Sequence, residues 1–288
     1  MTKGESNMST LARETKPKTT TLLQSNPILR KLSKITERTE TNAASYAGIA
    51  TKTSYFLLIT LAGMVAQLLV KMALASEPIW QTITVYEKFS LALSMKEAIA
   101  VGAVLVFGFI CELVGIFARK TIPVTGTLYS ASQGYVISFL IFKVLAGYEY
   151  LGLEALLLTV AVVAVMSWLY SSGIVKADKK FRTVLLTLLI GSVGVGALGF
   201  LGTLIPATRP YVQAMMQNAV FTVVIDVVGL IIAALFLISD FSMIDNCVKQ
   251  GYPKEYEWAA AFGLVFTVIW IYLKILDLLM RFTGKNKD

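Results

Sequence analysis

Two carboxylates set inside one apolar run are where chemistry would begin in this chain. The run Ala219–Met243, AVFTVVIDVVGLIIAALFLISDFSM, carries Asp226 near its middle and Asp240 near its end. At 3.6 residues per turn their spacing is nearly four whole turns, so the two acids share a helix face and stand about 21 Å apart along the axis. A charged side chain at the centre of a bilayer costs about 3 kcal/mol or more, and acids retained there commonly line a proton or ion path. The alternative for each is structural, a pairing with a basic or hydroxyl group of a neighbouring helix. Asp245 lies about 140° around a regular helix from Asp240 and shares its face only if the helix breaks nearby. Otherwise Asp245 is an ordinary exposed acid before a loop. Glu112, flanked by Gly108 and Gly115 in another apolar run, is a further candidate for a buried acid.

The residues that are missing narrow the chemistry. There is no histidine, which removes imidazole as base, shuttle or metal ligand and leaves pH sensing to carboxylates. It also excludes a serine triad of the usual form. Cys111 and Cys247 have no metal-type neighbours and do not read as a disulfide framework. Asp226 in VIDVV and Asp240 in ISDFS lack the Gly-Asp contexts expected of an aspartyl intramembrane protease. Gly194-Val195-Gly196-Ala197-Leu198-Gly199 fits GxGxxG, but it lies inside an unbroken apolar run rather than between a strand and a helix. Close helix packing in lipid is the expected use of those glycines. Lys71 and Lys143 read as snorkelling side chains. Lys274, Asp277 and Arg281 read as mutually neutralising neighbours on one helix. No enzyme, cofactor or resident metal is expected, and calcium ions or protons would enter only as permeant ions.

The elements that position these residues are membrane spans. The chain is 56% hydrophobic and 15% charged, against about 25% charged in a soluble domain. Seven apolar runs approach or reach the roughly 20 residues that a crossing needs: Thr53–Ala75, Ala98–Ala118, Thr125–Gly147, Ala155–Ser172, Thr183–Ile205, Ala219–Met243 and Ala259–Phe282. The expected fold is therefore an all-α polytopic bundle of seven helices over residues 46–288. The third run is the weakest, diluted by Ser130, Ser132 and Gln133. Residues 1–45 read as a polar, disordered tail, with Asn26–Thr39 able to form a short basic helix on the membrane. Basic residues cluster before the first run and after the second, fourth and sixth, among them Arg119, Lys120, Lys179, Lys180, Lys249 and Lys254. By the positive-inside rule this sets the N-terminus in the cytoplasm. Seven crossings then leave Arg281, Lys285 and Lys287 on the outer side, against the rule, unless the last segment re-enters the same face. The net charge of +8 is thus a matter of orientation and anionic lipid rather than nucleic acid.

The segment Leu237–Phe282, LISDFSMIDNCVKQGYPKEYEWAAAFGLVFTVIWIYLKILDLLMRF, resembles the C-terminal signature of the Bax inhibitor-1/YccA-like membrane proteins, in the mainly bacterial branch. An Asp-Phe pair closes an apolar helix, Pro253 and Glu257-Trp258 follow, and the last helix carries Thr267, Trp270 and Tyr272. Ser25-Asn26-Pro27-Ile28-Leu29 and the Ser130–Ser138 segment with Gln133-Gly134 are similar to further family segments. The resemblance implies a compact seven-helix bundle in an inner (cytoplasmic) membrane and a pH-sensitive leak of calcium or other cations. In the family a carboxylate pair from the sixth and seventh spans shares a proton and bonds to a basic residue near the end of the second. Two close carboxylates cannot both ionise cheaply, so such a pair is a proton-operated latch. The first carboxylate corresponds to Asp240 and the basic partner to Arg119, with Lys120 as a substitute. Thr267 stands where the second carboxylate is expected, and Gln133 where a Glu often precedes the glycine of the third span. A dyad would then need Asp226, Asp245 or Glu112. The resemblance also implies a rival role, that of a non-conducting regulator binding other membrane proteins such as a quality-control protease or a stress partner.

Overall fold

The computed structural model describes residues 43–86, 89–175 and 177–285. The expected tail (but for residues 43–45), the Asn26–Thr39 helix and the Ser25–Leu29 motif lie outside the described residues. The described residues from Ala44 onward form one compact unit. Its elements are α1 (Tyr46–Ala73), a hairpin of β1 (Gln81–Tyr86) and β2 (Phe89–Leu93), α2 (Met95–Phe117), a 3-10 turn at Arg119–Thr121, and α3 (Ile122–Phe139). A π turn at Leu140–Val144 extends α3. There follow α4 (Tyr150–Ser171), α5 (Lys179–Leu204), the short α6 (Arg209–Gln217), α7 (Ala219–Lys249) and α8 (Tyr256–Lys285).

Side-chain caps set several helix starts, and they lie outside the apolar runs. Ser45 accepts from the Gly48 amide, so α1 begins seven residues before the run that announced it. Ser94 and Glu97 form a capping box on α2, and Asp178 accepts from Phe181 N at 2.7 Å to start α5. A cap satisfies backbone donors that the first turn leaves without partners. Hydropathy registers only the part of each helix that sits in lipid.

The chain is an all-α polytopic bundle, and among the described residues six helices are long and apolar enough to cross a membrane: α1, α2, α4, α5, α7 and α8. The third expected span, α3, is not among them. Its polar and small residues are used inside the bundle: Ser130, Ser132, Gly134 and Ser138 are all buried. A Cβ at Gly134 would fall on the Thr60 carbonyl, and one at Gly63 on the carbonyl of Ala131. The backbones of α1 and α3 therefore touch, as small residues in membrane helices permit. Ser138 Oγ donates to Gln67 Oε1 at 2.9 Å across the same seam. Of these six helices α8 is the most enclosed, with Ala261, Val265, Ile271 and Leu276 fully buried, and it packs on α1, α3, α4 and α7.

Several expectations are corrected. The α1–α2 connection contains an antiparallel hairpin, with Ile83 opposite Leu91 and Gln81 opposite Leu93. Phe89, Leu91 and Leu93 face the core, and Phe89 meets the edge of Tyr148 at 5.2 Å. The glycines of GxGxxG do not pack against another helix: a Cβ at Gly194, Gly196 or Gly199 meets nothing within 4 Å. Only Leu185 of α5 is buried, so that helix sits at the edge of the bundle. Lys143 pairs with Glu97 at 2.6 Å. Lys71 donates to the Phe142 carbonyl at 2.8 Å, inside the π turn where the regular helical bonding is shifted. Neither lysine simply snorkels.

Candidate functional site

Helix α7 is continuous through Lys249, so there is no break at Asp240 to turn Asp245 towards it. Asp245 instead accepts from Tyr46 Oη at 2.7 Å and Tyr170 Oη at 3.0 Å, and pairs with Lys249 at 2.6 Å. It ties the start of α1 to the ends of α4 and α7.

Asp226 is buried and faces α8. Arg281 Nε lies 2.8 Å from its Oδ2 and Lys274 Nζ 3.2 Å from its Oδ1. Arg281 also contacts Asp277 at 3.4 Å. The expected cluster within α8 is therefore only half of the arrangement, because its two cations converge on an acid of another helix. The Arg281 charge is held inside the bundle rather than in a loop, and α8 is long and apolar enough for a full crossing.

Asp240 meets a different environment. Its carboxylate lies within hydrogen-bonding reach of the Thr267 side chain, while the Thr267 hydroxyl is 3.1 Å from the Gly263 carbonyl one turn back. Gly263 leaves room for it, since a Cβ there would stand 3.7 Å from Asp240 Oδ1. Asp240 Oδ2 is enclosed and has no hydrogen-bond partner among the described residues. Beside Gly263 opens a cavity of about 370 Å³ lined by Gly115, Arg119, Met243, Phe262, Gly263 and Phe266. Arg119, at the end of α2, is not bonded to Asp240. Its guanidinium lies over the Tyr256 ring, 4.6 Å from the centroid, a favourable cation–π geometry. Glu112, partly buried on α2, makes no hydrogen bond or ion pair among the described residues. The structure therefore brings Asp240 and Thr267 together and places Arg119 on the wall of the adjoining cavity. It keeps Asp226 and Asp245 apart from them.

Two buried carboxylates, Glu97 and Glu257, were not singled out from the sequence as candidate acids. Glu257, fully enclosed, accepts from Ser45 N at 2.9 Å and Ser45 Oγ at 3.2 Å, and it forms an ion pair with Lys52. Gly48 makes room for it, because a Cβ at that position would overlap the Glu257 carboxylate. The signal available was the Glu257-Trp258 step. Its partners lie more than 200 residues away in the chain, and no local pattern connects them.

A family model described as Bax inhibitor 1 like matches residues 26–284. The chain belongs to that family. A search of curated proteins finds no match. Asp240 and Thr267 both lie within the matched residues, on facing helices α7 and α8.

Proposed function

We propose that this membrane protein is a passive, pH-linked cation leak, with calcium as the leading permeant ion and Asp240 as the cation-attracting and proton-accepting group. The observation that supports the reading is the Asp240 carboxylate itself: an acid within an apolar helix, one oxygen without a hydrogen-bond partner among the described residues, against Gly263 on the wall of a cavity that also carries Arg119. A merely structural acid in lipid is expected to be paired, as Asp226 is. With no second carboxylate at Thr267, the ionised form of Asp240 is the form that attracts a cation. Cation flux therefore falls as acidification protonates it. Asp226, Asp245, Glu112 and Thr267 are not assigned to conduction in this reading, except that Thr267 orients Asp240.

The test is flux into liposomes that carry the purified protein and an internal calcium-sensitive dye, with the outer pH stepped from about 8 to about 6. Expected is a flux that declines on acidification and loses its pH dependence in Asp240→Asn. A flux that rises on acidification would indicate a latch opened by protonation, as in the family's paired arrangement. An unaltered flux in folded Asp240→Asn protein would remove Asp240 from the mechanism.

One observation favours a second reading. Thr267 replaces the acid of the dyad, and Arg119 stacks on Tyr256 instead of bridging to Asp240. A chain without the latch suits a non-conducting regulator that binds another membrane protein through its tail. Deleting residues 1–45 would then abolish function, whereas Asp240→Asn would not.

A further inference from the structure

A second and larger cavity, of about 780 Å³, opens where the start of α1, the end of α2 and the start of α8 meet. Its lining includes four cationic side chains, Lys52, Arg119, Lys120 and Lys254, and one carboxylate, Glu255. Lys52 is neutralised by the buried Glu257. Arg119, Lys120 and Lys254 have no ion pair among the described residues, and Glu255 offsets only one of the three. The space is therefore positive by about two charges.

Aromatic rings set the position of two of these cations. Arg119 lies over Tyr256 at 4.6 Å and Lys52 over Trp258 at 5.2 Å. A ring face orients a cation without cancelling its charge, so Arg119 is held in place and remains available to an anion. Tyr256 and Trp258 also stand at the end of a membrane-crossing helix, where such rings belong at headgroup level. The volume lies within the range of sites that enclose a small polar group.

We infer that this cavity binds the phosphate of an anionic phospholipid headgroup, with Arg119, Lys120 and Lys254 as its cationic ligands and Tyr256 and Trp258 framing the headgroup at the interface. The position at a membrane face argues for a lipid rather than a free ion as the source of the phosphate. The inference does not depend on ion conduction.

The test is native mass spectrometry of the full chain in detergent with equimolar dioleoylphosphatidylglycerol and dioleoylphosphatidylcholine. Each basic residue near an anionic headgroup multiplies affinity about fivefold. Expected is retention of the glycerol lipid about 25-fold above the choline lipid. Lys120→Gln with Lys254→Gln should lower that preference about 25-fold, while Lys120→Arg with Lys254→Arg preserves it. Lys179→Gln with Lys180→Gln, at the start of α5 and outside the cavity, should leave it unchanged. Lys254→Gln alone, in an exposed connection, gives a several-fold loss if the pair of substitutions compromises folding. Equal retention of the two lipids would overturn the inference, as would full retention in the Gln variants or an equal loss in the α5 pair. Displacement of the lipid by millimolar inorganic phosphate would overturn the lipid as the source and assign the site to the free anion.

Discussion

On α7, Asp226 and Asp240 occupy one helix face and both look towards α8, yet their surroundings are opposite. Asp226 is met by Lys274 and Arg281, each within 3.2 Å. Asp240 is met by one threonine side chain and a glycine, and one of its oxygens has no partner. The first half of the α7–α8 contact is an ion cluster in which two cations of one helix converge on an acid of the other. The second half is an under-satisfied acid next to open space. A buried carboxylate is thus defined by what the facing helix offers it, and the proposed function rests on the second kind.

The contrast can be broken most forcefully at Asp226. Asp226→Asn leaves Lys274 and Arg281 facing a neutral amide, and the loss should be about 3–5 kcal/mol. Unfolding in detergent, followed by helical signal, measures it. A shift no larger than that of Asp240→Asn would show that the cluster does not carry the α7–α8 contact. Glu257 is another buried acid and, like Asp226, is ion-paired. Glu257→Gln removes the charge opposite Lys52 but keeps an acceptor for Ser45, so about 2–3 kcal/mol should be lost by the same assay. Lys274→Gln leaves Arg281 on Asp226 and should cost about 1 kcal/mol. A cost equal to that of Asp226→Asn would mean that Lys274, and not Arg281, holds the acid.

The smallest stability change belongs to Asp240. Asp240→Asn should alter unfolding by less than about 1 kcal/mol, because little bonding to the carboxylate is lost. Its effect should appear in flux and pH dependence instead. A large destabilisation would place Asp240 with Asp226 as a packing group and erase the distinction.

The bundle was legible because bilayer thickness writes itself into the chain as apolar runs, and six of them became helices suited to crossing. The weak third run was weak for a reason that hydropathy cannot express. Ser132, Gly134 and Ser138 turn towards α1 and α2 rather than lipid, so small and polar residues there serve helix contact. The hairpin was missed because a span count treats a connection as featureless. The carboxylates were recognisable as unusual from their position in an apolar run, but their partners were not. Lys274 and Arg281 read as a local charge pair with Asp277 because i,i+4 spacing is visible in one dimension and a contact between helices is not.

What the sequence determined by itself is the solvent of this protein and its class: apolar runs of crossing length, capped and flanked by basic loops, and the motifs of the Bax inhibitor 1 like family. It also determined the absence of imidazole chemistry, since no histidine is present. What only the tertiary structure decided is which acid is satisfied. Asp226, Asp240 and Glu257 are alike in type and all lie in long membrane helices. The cations that reach Asp226 and Glu257, and the glycine and threonine that face Asp240, come from other helices. Their approach depends on helix rotation and close packing, which no single stretch of sequence encodes.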